Sequence, residues 1–182
     1  MATGRGTQLT RQIGEHLVAA ELGRQGLIAT PFAGNVPLFD LLAADESGNC
    51  IPIQVKAING PAWQFDARNF LEIEITNGVQ RKTGPKFLAN PDLICVFVLL
   101  RGAGRDEFFV FRLRDLQDYC FHHYKDGRRP KNPDSTHCAV WPKDLQAFKA
   151  AEGEWPLIRE ALASQGRSLT LAAADAQKAA RR

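Results

Sequence analysis

No apolar run in this sequence approaches the roughly 20 residues that a bilayer-crossing helix needs, which excludes a helical membrane span. The opening, MATGRGTQLT, lacks the apolar core of a signal peptide. Export is therefore not expected, and a cytoplasmic location is. Cysteine is scarce, and Cys50, Cys95, Cys120 and Cys138 form no CxxC pair. Reduced thiols are the simplest expectation. Internal repeats are absent. Charge of one sign is lacking too: 23 basic against 20 acidic side chains leave +3 at pH 7. Residues 1–91 hold 8 of each, so the whole excess is C-terminal. That balance permits a polyanionic partner without demanding one. The glycine-containing segment RGAGR (101–105) has no following helix and no Lys-Ser/Thr, so it reads as a hairpin turn and not as a phosphate-binding loop.

What is present is an ordinary globular composition, 45% apolar and 24% charged over 182 residues. That is one domain with at most a small extension. Residues 7–26 read as a proline-free helix, capped by Thr7 or Thr10 and ended by Gly23 and Gly26. Strand character follows in 27–32, in PLFDLLAA (37–44) and in CIPIQVKAI (50–58). DESGN between the last two is a turn. FLEIEI (70–75) alternates cleanly, and residues 76–90 read as polar and turn-rich. LICVFVLL (93–100) reads as a strand buried on both faces, and FFVFRL (108–113) as another strand. Residues 113–124 look helical, 125–135 form a basic loop, and 142–150 and 154–164 look helical again. From 165 the chain is alanine-rich and ends in Arg181 and Arg182, a frayed helix or tail. The fold class expected is α/β, with a mixed central sheet and the first helix packed on it.

Side chains alternate faces along a strand. In CIPIQVKAI, Ile51, Ile53 and Val55 therefore face a core, while Gln54 and Lys56 point together to the other side. Asp40 sits between Phe39 and Leu41, in a stretch too apolar for plain surface decoration. A buried carboxylate is costly unless it is paired or bound to a metal. On the helix, Glu15, Val18, Ala19 and Leu22 share one face, so Glu15 lies on an apolar stripe. Two carboxylates and an amide carbonyl are hard oxygen ligands suited to Mg²⁺. A lysine beside such a metal can position a water and steady phosphate charge. Read separately, Glu15 is a helix carboxylate paired with an arginine, and Asp40 ends a strand and bonds a turn. Gln54 and Lys56 then line a solvated face.

The order Glu15, Asp40, Gln54-Val55-Lys56, with GEHLVAAEL, FDLLA and IQVK around it, resembles the PD-(D/E)XK nuclease superfamily. The Gln-x-Lys form is similar to that of some homing endonucleases and Holliday-junction resolvase-like proteins. The resemblance covers residues 11–58 and extends weakly beyond. It implies a restriction-endonuclease-like core and hydrolysis of DNA phosphodiester bonds with Mg²⁺, or Mn²⁺ in its place. By motif position it implies Asp40 as central metal ligand, Gln54 in place of the second acidic ligand, and the Val55 carbonyl facing the metal. Lys56 is then the catalytic lysine and Glu15 the helix carboxylate. Gln54 carries one negative charge fewer than the usual residue, which weakens metal binding. The alternative is an inactive nucleic-acid-binding or interaction module that keeps the fold. Residues 1–164 would be the nuclease domain and 165–182 its extension. Double-strand cleavage would suggest a homodimer or higher homo-oligomer. Asp40→Ala and Lys56→Ala are expected to abolish cleavage and leave the thermal midpoint largely intact.

Two basic patches suit DNA phosphates: Arg81, Lys82 and Lys86, and the run holding Lys125, Arg128, Arg129 and Lys131. Trp63, Gln64 and Phe65 either wedge against a base or pack, and packing is favoured. Cys120, His122, His123, His137 and Cys138 invite a zinc reading, but their spacings are not those of a finger.

Overall fold

A computed structural model of the protein describes residues 4–32, 38–129, 131–150 and 155–179. The first helix, α1, runs from Gly4 to Arg24. It starts earlier than the threonines suggest. Thr10 consequently lies inside it, with its hydroxyl donating back to the Gly6 carbonyl at 2.9 Å. The glycine stop is as expected. Gly26 takes φ +77°, Leu27 N–H donates to Leu22 O and Gly26 N–H to Gly23 O, both at 3.0 Å. That pair of bonds closes the last turn in a Schellman motif.

A five-stranded sheet follows. Its strands are β1 (Ile28–Pro31), β2 (Leu41–Ala44), β3 (Cys50–Ile58), β7 (Ile94–Leu99) and β8 (Glu107–Arg112), in that spatial order. Pairing is antiparallel except between β3 and β7, so the sheet is mixed as expected. The turn from β2 to β3 is built by Asp45, which accepts the N–H groups of Ser47 and Asn49, with Gly48 at φ +83°. Every residue of β7 is buried. Strand β2 is shorter than the eight residues read from the sequence: Leu38 has φ +81°, and Pro37 lies outside the described residues.

Each face of the sheet carries its own core. On one side Ile51, Ile53 and Val55 pack with Val96, Val98, Leu41 and Ala43 beneath Val18 and Leu22 of α1. The last helix, α3 (Pro156–Ala179), adds Ile158 and Leu162 there. It continues unbroken across residue 165; the predicted start at Glu154 lies outside the described residues. On the other side Cys95, Phe97, Leu99, Phe109 and Phe111 pack under α2 (Leu113–His123). Trp63 fills this core at 2% exposure, with its ring 4.9 Å from Phe97. Packing is thus its role.

Four strands come from stretches that do not read as strands. β4 (Trp63–Asp66) pairs with β10 (His137–Val140). β6 (Val79–Pro85) lies in the segment read as polar and turn-rich, between β5 (Leu71–Thr76) and the two-residue β9 (Gly127–Arg128). Asn77 and Gly78, at φ +52° and +73°, make the β5–β6 hairpin turn. Residues 142–148 form a 3-10 helix.

Candidate functional site

Two local devices bring α1, β2 and β3 to one point. The first is Gly14. A methyl group added there would stand 2.4 Å from Ala57 Cβ, so only glycine lets the helix approach β3 this closely. The second is the β2–β3 register, which sets Leu41 opposite Ile53. One step further, Asp40 N–H donates to Ile53 O at 2.9 Å and Asp40 comes beside Gln54.

Asp40 is 7% exposed and fully engaged. Its Oδ2 accepts the Val55 N–H at 2.8 Å and its Oδ1 accepts Arg11 Nη2 at 3.0 Å. Arg11 Nε donates to Glu15 Oε1 at 2.7 Å, and Glu15 is also 7% exposed. One guanidinium therefore bridges two buried carboxylates that lie 25 residues apart in the chain. The hydrogen bond donated to Glu15 and the charge of Asp40 raise the guanidinium's pKa against a lowering by burial. Glu15 is paired with an arginine, as its separate reading has it, but the same arginine also holds Asp40.

Gln54 and Lys56 are half-buried and lie on the opposite face of β3 from Val55. Gln54 stands beside Cys95 in the parallel register. Burial pushes the Cys95 thiol up to about 12; Lys56 opposes that rise, and Asp115 and Asp40 add to it. One buried sulfur thus feels both Lys56 and Asp40. The Lys56 carbonyl accepts Trp63 Nε1 at 2.9 Å, which anchors the strand beneath its lysine.

Among the described residues no three His, Cys, Asp or Glu side chains group as metal ligands on their own. A cation at this point would need Asp40 and Glu15 together with the Gln54 side-chain carbonyl and a backbone carbonyl such as that of Val55. All are oxygen donors, and two buried carboxylates here already require a cation, so this set fits a hard divalent ion.

The basic residues divide. Arg81, Lys86, Lys125, Arg128 and Lys131 are exposed. Lys82 instead turns inward: its Nζ donates to the Phe121 and Tyr124 carbonyls, closing the end of α2. Lys86 donates to Arg68 O at 3.2 Å. Arg129 lies over the Tyr124 ring at 4.9 Å and donates to Lys125 O. Gln80, wholly buried, accepts the Tyr124 hydroxyl and donates to Ser135 O at 3.1 Å, which fastens the basic segment to β6. Nothing in the surrounding polar text marks Gln80 as buried. Arg11 had a signal, since it stands one helical turn before Glu15. The Cys120 and Cys138 sulfurs meet at 3.9 Å. His122 and His123 hold backbone carbonyls of their own helix.

This architecture is a mixed α/β fold, a central sheet with helices on both faces. It is shared with a solved structure, that of the bacterial homing endonuclease I-Ssp6803I, at TM-score 0.50 and 15% identity, over 88% of this chain and 97% of that one. No protein-family model and no curated protein matches the chain. No helix among the described residues is long and apolar enough to cross a membrane.

Proposed function

We propose that the chain is a metal-dependent endonuclease that hydrolyses DNA phosphodiester bonds, with a PD-(D/E)XK-type site. The observation that supports this best is the Asp40 carboxylate. It is bonded to the amide that separates Gln54 from Lys56 and joined through Arg11 to Glu15. A buried carboxylate that ties a helix carboxylate, through Arg11, to the backbone of β3 is more than surface decoration. The shared fold with a protein described as a homing endonuclease adds to the reading.

Asp40, Glu15, the Gln54 carbonyl and the Val55 carbonyl would hold Mg²⁺, or Mn²⁺ in its place. Bound there, the ion supplies a more acidic water and positive charge beside the scissile phosphate. The protein's own part is to fix the carboxylates and keep them out of bulk water. Lys56 orients the attacking water and offsets the negative charge that develops on the phosphate oxygens. Exposed Arg81, Lys125, Arg128 and Lys131 hold flanking phosphates. In this proposal residues 1–164 are the nuclease domain and 165–182 an extension. Cutting of both strands would suggest a homodimer or higher homo-oligomer.

The second reading, an inactive binding module with this fold, draws on Gln54, a neutral group where a further carboxylate would strengthen the site. The test is supercoiled plasmid with Mg²⁺, Mn²⁺ or EDTA, beside Lys56→Ala. Nicking that needs metal and is lost in the variant supports the enzyme. DNA binding without nicking, unaffected by EDTA, supports the module.

A further inference from the structure

We infer that Arg11 is a placeholder for the divalent cation, and that guanidinium and cation compete for the space between Glu15 and Asp40. The inference rests on the nuclease reading and deepens it. Arg11 uses two different nitrogens on two different carboxylates, at 2.7 and 3.0 Å, so its guanidinium lies between them. The second oxygen of Asp40 is committed to the Val55 amide. An ion that bridges Asp40 and Glu15 through the Asp40 oxygen left over from that bond shares it with Arg11.

Charge makes the two exclusive. Two buried carboxylates need positive charge near them. A guanidinium and a dication in contact with the same oxygens would be like charges at close range, which is disfavoured. Exposure differs in the direction that exchange requires. The carboxylate side chains are 9% and 7% exposed and held by α1 and β3, whereas Arg11 is 41% exposed. Exchange would turn the arginine head outward by side-chain rotation, without moving the helix. Because Arg11 and Glu15 sit one turn apart, the turn that supplies a ligand also supplies its stand-in. The arginine thus preorganises the carboxylates before metal arrives and weakens the affinity of the metal that follows.

The experiment titrates Mn²⁺ alone into the full chain, read by EPR of free Mn²⁺, with Arg11→Gln and Asp40→Asn alongside. Arg11→Gln is expected to tighten binding by about three- to thirtyfold, and Asp40→Asn to weaken it. Equal or weaker binding in a folded Arg11→Gln overturns the inference. A second measurement spares the site: in the wild-type protein the Arg11 Nε–H is followed by ¹⁵N NMR, assigned with Arg11→Lys. Loss of its protected signal on adding Mg²⁺ supports displacement, and survival at saturation overturns it. Plasmid nicking is scored separately. Nicking with an unmoved Arg11 overturns the placeholder and keeps the nuclease. Arg11-sensitive binding without nicking does the reverse. Neither saturable binding nor nicking removes both.

Discussion

The Asp40 carboxylate accepts the Val55 backbone amide at 2.8 Å, so a candidate metal ligand is also a structural bond of the β2–β3 hairpin. This revises the expectation that Asp40→Ala leaves the thermal midpoint intact. Alanine strands a buried N–H and leaves Glu15 alone with Arg11. We expect Asp40→Ala to lose about 2–4 kcal/mol of stability in chemical denaturation. Asp40→Asn keeps an acceptor for Val55 and should lose about 1–2 kcal/mol. Both should abolish nicking. If alanine proves as stable as the wild type, the bond is not structural.

Lys56 is the cleaner probe of chemistry. Its side chain is half-buried and holds no core hydrogen bond among those described, while its carbonyl bond to Trp63 belongs to the backbone. Lys56→Ala should therefore cost under about 1 kcal/mol of stability. It should lower the nicking rate by at least about a hundredfold. Single-turnover nicking at saturating Mg²⁺ checks both limits beside a melting curve. Undiminished turnover would remove Lys56 from the mechanism.

Gly14 tests whether the close approach of α1 to β3 builds the site. Alanine in a helix interior normally gains about 1 kcal/mol over glycine. Here its methyl group would meet Ala57 Cβ at 2.4 Å, and overpacking of that kind costs about 1–3 kcal/mol. The helix must shift away from the strand, and it carries Arg11 and Glu15 with it. Gly14→Ala is expected to be destabilised on balance and to nick more slowly. Adding Ala57→Gly should restore part of both; no recovery would place the strain elsewhere.

What was legible in the sequence follows from where one signal dominates. Ile51, Ile53 and Val55 alternate with Gln54 and Lys56 between two turn signals, and the strand has the bounds read for it, Cys50–Ile58. The apolar run around Ile94–Leu99 could only be buried on both faces. By contrast β6 reads VQRKTGP, whose alternation is weak and whose proline and glycine suggest a loop. Its evidence was the Asn77-Gly78 pair, a hairpin signal when a strand such as FLEIEI precedes it. β4 and β10 are held by pairing with each other across about 70 residues, which no local pattern records. At the site, helix periodicity placed Glu15 and strand alternation placed Gln54 and Lys56. That Arg11 would bridge two carboxylates was out of reach, because the α1–β3 distance depends on tertiary packing at Gly14.

Asp66 predicts a dependence on pH. The Arg68 guanidinium, the Thr136 hydroxyl and the Arg68 amide hold its carboxyl well below the usual 3.8. A carboxyl with a lowered folded-state pKa stabilises the fold above its unfolded value and loses that contribution as pH falls through the folded one. Stability should therefore decline as pH drops below about 4. Because β4 and β10 meet at Asp66 and His137, the loss should loosen that pair. Asp66→Asn should show a shallower fall of melting temperature between pH 5 and pH 2. Parallel curves would assign the acid sensitivity to other groups.

Lys82 and Arg128 both belong to the three-stranded sheet, and they should behave oppositely when removed. Lys82 is half-buried, and its ammonium donates to two carbonyls at the end of α2, so it is not free to meet a phosphate. Its ring contact with Phe121, 5.0 Å from the centroid, ties it further. Lys82→Ala leaves those carbonyls without their donor and should cost about 1–3 kcal/mol of stability. Its effect on DNA affinity should be small, because no exposed charge is lost. Arg128 is exposed on β9, beside the segment that Gln80 fastens to the sheet. Arg128→Ala should leave the melting temperature unchanged, weaken DNA binding across sequences, and reduce the slope of log affinity against log salt by about 1. The same holds for Lys125, and the double variant should reduce the slope by about 2. The comparison needs only fluorescence anisotropy of a labelled duplex at several salt concentrations. A salt slope that falls for Lys82→Ala and not for Arg128→Ala would move the DNA path off this sheet.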